Sequence, residues 1–249
     1  MLRLPGRQAR PVRLPQQGHA PIRGELTPVA GTRGGWIDVS RPVADGTPVW
    51  PGDPPWSYRL AAAIERGDAV NVGEVRGTTH AGTHADAPLH VDPSGAAIDT
   101  LPLDAFVGRA LLIDVSGRNG EIERAEIEAE LARAATEPAG SAPERLLVAT
   151  GCDWAPGFPS RWRGFSADAA RWCRERELRL LGTDAPSVDS PGSDGLEAHR
   201  ALFRAGIAIV EGLALAGIDV GDYEFIAFPL RWTGADASPV RAALRRIEE

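Results

Sequence analysis

Three of the five histidines of this chain, His80, His84 and His90, fall within eleven residues of one another, with Asp86 among them. The run is His80-Ala-Gly-Thr-His84-Ala-Asp86-Ala-Pro-Leu-His90, and it restricts the fold because it is unsuited to a helix. Gly82 and Thr83 are poor helix formers, and Pro88 lacks the amide that a helix interior needs. On a helix His80 and His84 would share a face, but Asp86 would lie far round from both. In an extended chain, positions 80, 84, 86 and 90 all point to one face. An extended or looped segment therefore presents three imidazoles and a carboxylate together, as one half of a metal site. Imidazole and carboxylate suit zinc, manganese or iron, and the lack of thiolates favours a catalytic over a structural zinc site. The plainer reading, a polar surface loop, suits a lone HxxxH and loses ground with each further matched position.

A second half-site lies downstream. Glu211 is embedded in the apolar run Ile207–Leu215, where a buried carboxylate is costly unless paired or coordinated. No arginine lies between Arg204 and Arg231, so a cation must come from elsewhere in the fold, and a metal would serve directly. His199, on a helical stretch upstream, is the remaining histidine of the body. Taken singly, each could be an ordinary satisfied residue. With the first cluster they supply ligands for two ions that share carboxylates.

The 249 residues have a net charge of −7, which argues against nucleic acid or an anionic membrane as partner. All 27 basic residues are arginine, which removes Schiff-base and P-loop lysine chemistry. The two cysteines, Cys152 and Cys173, form no CxxC and read as reduced, small apolar residues. No apolar run approaches the roughly 18 residues of a membrane span, and the first residues lack the apolar core of a secretory signal. A cytoplasmic enzyme acting on a small molecule is the expectation.

Residues 1–35 carry six arginines against one acid, Glu25, and five prolines, and are expected to form a flexible basic arm. The body, residues 36–249, is expected to be one domain. Short apolar runs predict strands at Trp36–Val39, Ala110–Val115, Arg145–Thr150, Leu178–Gly182, Ile207–Leu215 and Tyr223–Pro229. Helical spacing predicts helices at Glu121–Ala135, Ser166–Glu177 and Leu196–Ala205, the second capped by Ser166 and the third ended by Gly206. Val43 to Pro102 is rich in Pro, Gly, Thr and Asp and reads as loops and short strands. The alternation indicates an α/β class, a single domain around a mixed sheet.

The histidine run resembles the metal motif of the cyclase-like family of metal-dependent hydrolases. Other segments resemble the kynurenine formamidases within it: Pro48-Val-Trp-Pro-Gly-Asp53, Leu181-Gly-Thr-Asp-Ala-Pro-Ser187, Glu197-Ala-His199, Ile209-Val-Glu-Gly212, Gly221 to Arg231, and Asp236-Ala-Ser-Pro239. The resemblance implies a swivelling β/β/α fold, a homodimer, and two divalent ions, usually zinc, with manganese as the alternative. It implies hydrolysis of N-formyl-L-kynurenine to kynurenine and formate. By position it assigns His80, His84 and Asp86 to one ion, His199 to the other, and Asp86 and Glu211 to both. His90 matches the proton donor and acceptor, and Trp50 an aromatic lining the substrate pocket. The basic arm and the stretch from Gly151 to Trp162 depart from the pattern, the latter bearing on substrate choice. The main rival is a relative that opens a cyclic amide such as isatin, with the same ligands. A serine hydrolase fares worse because no G-x-S-x-G elbow is present, and a non-catalytic metal-binding module leaves His90 without a use.

Overall fold

Four apolar runs too short for buried helices form the parallel centre of a sheet. In the computed structural model, which describes residues 35–134, 143–155 and 157–247, they are β5 (Val107–Asp114), β6 (Arg145–Ala149), β7 (Leu180–Thr183) and β8 (Ala208–Glu211). Antiparallel strands extend both sides: β1 (Trp36–Asp38), β9 (Gly221–Ile226) and β11 (Ala243–Arg246) on one, β4 (His84–Asp86) and β10 (Ala237–Pro239) on the other. Among the described residues the order is β1-β11-β9-β5-β6-β7-β8-β4-β10. The two remaining strands, β2 (Ser57–Ala62) and β3 (Val72–Arg76), pair as a separate hairpin. The single α/β domain with a mixed sheet is as expected. The arm expected over residues 1–35 lies outside the described residues except for Gly35.

Side-chain alternation divides the core in two. Leu112, Leu147, Leu180 and Val210 point to the face that the outer strands curl around, where they meet Phe225, Leu244 and Ala85. Leu111, Ile113, Leu146, Val148, Leu181 and Ile209 point to the opposite face, under the three helices. These are α1 (Arg124–Ala134), α2 (Ala167–Glu175) and α3 (Glu197–Arg204). Alternating faces that are both apolar are what a covered parallel strand requires.

The helix ends follow local chemistry. The Ser166 hydroxyl accepts from the Ala169 amide at 3.2 Å and caps α2. Gly206, at φ +73°, takes the left-handed turn after α3. The first helix starts later than its spacing suggested, because Ile122 forms a bridge to Phe165 and its amide bonds the Gly164 carbonyl; tertiary pairing overrides local propensity there. Ala135, its expected last residue, lies outside the described range.

The turn before α1 is held by Arg163. Its buried guanidinium bonds the carbonyls of Val115, Gly120 and Glu121 and both carboxylate oxygens of Glu126. The Arg163 bonds, opposed by partial burial and reinforced by Arg118, draw the Glu126 carboxyl down to about 2. Its stabilising contribution is full above the ordinary 4.5 and is lost as pH falls through about 2. Glu126→Gln is therefore expected to lower the melting temperature at neutral pH. The deficit should shrink as pH is taken from 4.5 toward 2, and a pH-independent deficit would assign the effect to packing instead.

Candidate metal centre

Strand β4 lies between β8 and β10, with His84 opposite Glu211 and Pro239, and Asp86 opposite Ile209 and Ala237. The two-residue period sends Ala85 to the inner core and His84 and Asp86 to the helix-covered face, where α3 brings His199. The register is enforced by backbone contact. Gly212, at φ +65°, ends β8 so close to the preceding turn that a Cβ there would lie 2.5 Å from the Gly82 carbonyl oxygen. Thr83 donates to the Gly212 carbonyl at 2.6 Å. Only His84–Asp86 is strand; His80 sits in the turn before it and His90 ends a 3-10 turn, Pro88–His90, after it. Turns, rather than continuous alternation, deliver the two outer histidines.

His80, His84, Asp86, His199 and Glu211 converge. His80 Nδ1 lies 2.9 Å and His84 Nε2 3.4 Å from Asp86 Oδ1. His199 Nε2 lies 3.4 Å from Asp86 Oδ2 and 3.3 Å from Glu211 Oε1, and His84 Nε2 lies 3.5 Å from Glu211 Oε2. Each imidazole turns its other nitrogen to a fixed acceptor: His80 Nε2 to Asp236 Oδ2 at 2.9 Å, His84 Nδ1 to the Gly82 carbonyl at 3.1 Å, and His199 Nδ1 to Asp189 Oδ2 at 2.6 Å. This arrangement, inner nitrogens converging and outer nitrogens tied, is that of metal-ligating histidines.

The electrostatics demand positive charge at the same point. Asp86 is wholly buried and Glu211 nearly so. Despite its closeness to two ring nitrogens, Asp86 Oδ1 makes no aligned hydrogen bond, so its lone pairs face the centre of the group without a donor. Burial pushes both carboxyls up, but for Asp86 the His84 and His80 rings prevail, and for Glu211 the His199 and His84 rings offset burial and Asp86; both stay below the usual range. Against burial, Asp86 and Asp236 raise His80 to about 10, and Glu211, Asp189 and Asp86 raise His199. A divalent cation satisfies these carboxylates better than protons shared among imidazoles. His80, His84 and Asp86 form one candidate ligand group and Asp86, His199 and Glu211 another, so Asp86 belongs to both. The residues present fit the group.

His90 stands beside this centre, its ring 4.3 Å from that of His80 and 5.7 Å from that of His199. Burial is the main force holding it below the usual imidazole range. Trp50 is partly exposed and meets Phe158 and Trp162 edge-on, at 5.4 Å and 5.6 Å between ring centres. Two hydrogen-bonded chains tie this aromatic group to the centre. Asp53, in the turn begun by Trp50, accepts from Thr78, whose hydroxyl accepts from the His80 amide. Trp162 donates to the carbonyl of Asp189, the residue that orients His199. The stretch from Gly151 to Trp162, which departs from the family pattern, thus supplies the aromatic neighbours of Trp50.

Asp189 and Asp236, the carboxylates that hold His199 and His80, are site neighbours that sequence reasoning did not single out. Both lie in Ser- and Pro-rich loops, where an aspartate reads as a turn former; Asp236 opens the segment Asp236-Ala-Ser-Pro239, which was the one available signal.

Residues 37–190 match the Cyclase family profile. The chain belongs to the Cyclase family. It is 40% identical to the kynurenine formamidase of Bacillus cereus, over 85% of this chain and 98% of that one. With the kynurenine formamidase of Salinibacter ruber it shares 43% identity over 84% and 96% of the two chains. Among solved structures, a potential metal-dependent hydrolase with cyclase activity superposes with TM-score 0.72 at 29% identity, covering 86% of this chain and 98% of that one. Isatin hydrolase A from Labrenzia aggregata superposes with TM-score 0.71 at 25% identity, covering 86% and 94%.

Two variants test the centre. His84→Ala is expected to abolish metal retention, read by metal analysis of the purified protein, because it removes a group facing both carboxylates. Asp189→Asn, which keeps an acceptor for the α3 amides, is expected to weaken metal binding about 10–100-fold, as loss of an orienting carboxylate does. Unchanged metal content in His84→Ala would place the metal elsewhere.

Proposed function

We propose that the protein is a kynurenine formamidase, hydrolysing N-formyl-L-kynurenine to L-kynurenine and formate. The observation that carries this reading is the 40% identity over 98% of a kynurenine formamidase, in a chain whose His/Asp/Glu residues converge at one point. Two divalent ions, zinc or alternatively manganese, would be held by His80, His84 and Asp86 on one side and His199 on the other, with Asp86 and Glu211 shared. When bound, such ions polarise the formyl carbonyl and lower the pKa of water toward neutrality.

His90 is assigned the proton work. Its imidazole takes a proton from the attacking water as the new C–O bond forms at the formyl carbon, and gives it to the arylamine nitrogen as the C–N bond breaks. A group that must serve both steps has to stand beside the ligands without being tied up among them, and its partly open position on the Pro88–His90 turn supplies that. Trp50, backed by Phe158 and Trp162, offers an aromatic face for the aniline ring.

We further propose a homodimer in the cytoplasm. The hairpin β2–β3 leaves Tyr58, Val72 and Val75 exposed, more apolar surface than a two-stranded ribbon normally keeps in water. The free cysteines Cys152 and Cys173 suit a reducing compartment. A second reading, hydrolysis of a cyclic amide such as isatin, is favoured by the structural likeness to isatin hydrolase A.

The test is steady-state hydrolysis of N-formyl-L-kynurenine and of isatin by purified protein, before and after chelation and repletion with zinc or manganese. Metal-restored turnover of the formamide alone is expected; turnover of isatin alone would move the assignment to the cyclic amide. His90→Ala is expected to lose about 10²–10⁴-fold in turnover, the span of general acid–base catalysis, while keeping its metal. Loss of the metal with the activity would make His90 a ligand.

A further inference from the structure

We infer that Asp236 is a positioning residue for His90 as well as for His80, one carboxylate oxygen setting the ring orientation of both. The inference rests on the acid–base role proposed for His90.

An imidazole works through one nitrogen, and the hydrogen bond made by the other decides which. Asp236 Oδ2 accepts from His80 Nε2 at 2.9 Å, which leaves Nδ1 directed at Asp86. The same oxygen lies 3.7 Å from His90 Nδ1. That separation is slightly longer than a hydrogen bond, as such contacts often are before substrate binds. The imidazoles of His80 and His199 also flank the His90 ring, and Asp86 and Glu211 act on it through space; among the described residues the carboxylate within ion-pair distance is Asp236. The proton of His90 is therefore held on Nδ1, toward Asp236, and Nε2 is the nitrogen that takes a proton from water and gives it to the amine.

Asp236 is fixed well enough to do this. Its other carboxylate oxygen accepts from Thr79 at 3.1 Å, and its own carbonyl accepts from the Ala87 amide at 2.8 Å. The next residue, Ala237, lies in register with Asp86. The carboxylate is thus tied to the strand that carries His84 and Asp86, and a shift of one is a shift of all.

The experiment compares Asp236→Asn and Asp236→Glu with wild type, alone and combined with His90→Ala, in zinc-replete holoenzyme. Asparagine keeps the shape but can donate toward His90 Nδ1, favouring the other tautomer. The fall in kcat expected for Asp236→Asn is about 10²–10⁴-fold, the upper end being the cost of a wrong tautomer in an Asp–His pair, with KM nearly unchanged and partial recovery in Asp236→Glu. In the His90→Ala background Asp236→Asn should cost much less than it does in wild type, the remainder being its effect on His80. Nitrogen NMR of histidine-labelled protein, with the His90 signal identified by its absence in His90→Ala, should show the proton on Nδ1 in wild type and on Nε2 in Asp236→Asn. Losses that multiply, or a His90 tautomer indifferent to Asp236, would overturn the inference. Should His90→Ala itself turn over normally, the acid–base role of His90 fails first and the positioning of His90 with it.

Discussion

Asp86 and Glu211 bring two carboxylates together on one face of a sheet, under a helix and away from water. Mutual repulsion and desolvation both act against this, and the surrounding structure is arranged to oppose them. Three imidazoles turn a nitrogen inward, the Val188 amide donates to Glu211 at 2.7 Å, and the second carboxylate layer of Asp189 and Asp236 holds the rings from outside. Replacing any inner partner leaves a buried charge uncompensated, which costs far more than an exposed pair is worth. A divalent cation at this point would complete the compensation that the imidazoles begin.

The fold serves this pairing by simple geometry. Parallel β8 ends at Glu211 because Gly212 turns left-handed against Gly82, and that same contact sets where β4 begins. The sheet period then separates Ala85 from His84 and Asp86, so three consecutive residues serve the core and the site in turn. Helix α3 lies over the same face because its apolar residues Ala198 and Leu202 pack on the layer that holds Ile209, and this seats His199 above the strands.

Much of this was legible in the residues. The apolar runs became strands within a few positions, and the histidine spacing marked the site before any fold was known, because metal ligands leave a pattern that random polar residues do not. A lone acid in an apolar run marked Glu211 as needing a cation, and the family resemblance supplied its place among the ligands. What could not be read was long-range. Asp236 meets a histidine 156 residues away, and Asp189 reaches the start of α3 across a loop of irregular path, so nothing local distinguishes either from a turn aspartate. Glu121 to Glu123 looked helical by spacing, but the bridge of Ile122 to Phe165 depends on a partner 43 residues on, by the numbering of the two residues. The role of the stretch from Gly151 to Trp162 was likewise hidden until the fold laid Phe158 and Trp162 against Trp50.

Strand β10 has only three residues, Ala237–Pro239, and forms one margin of the sheet. Its last residue has no amide proton to contribute to the ladder. The strand is held at both ends, by the Ala87 amide on the Asp236 carbonyl and the Val240 amide on the Thr83 carbonyl. An opening at this margin would carry Asp236 away from His80 while the parallel centre of the sheet stayed folded. The outer hold on His80 would thus depend on the pairing of a three-residue strand, so the chain could keep nearly all of its secondary structure and still lose that hold.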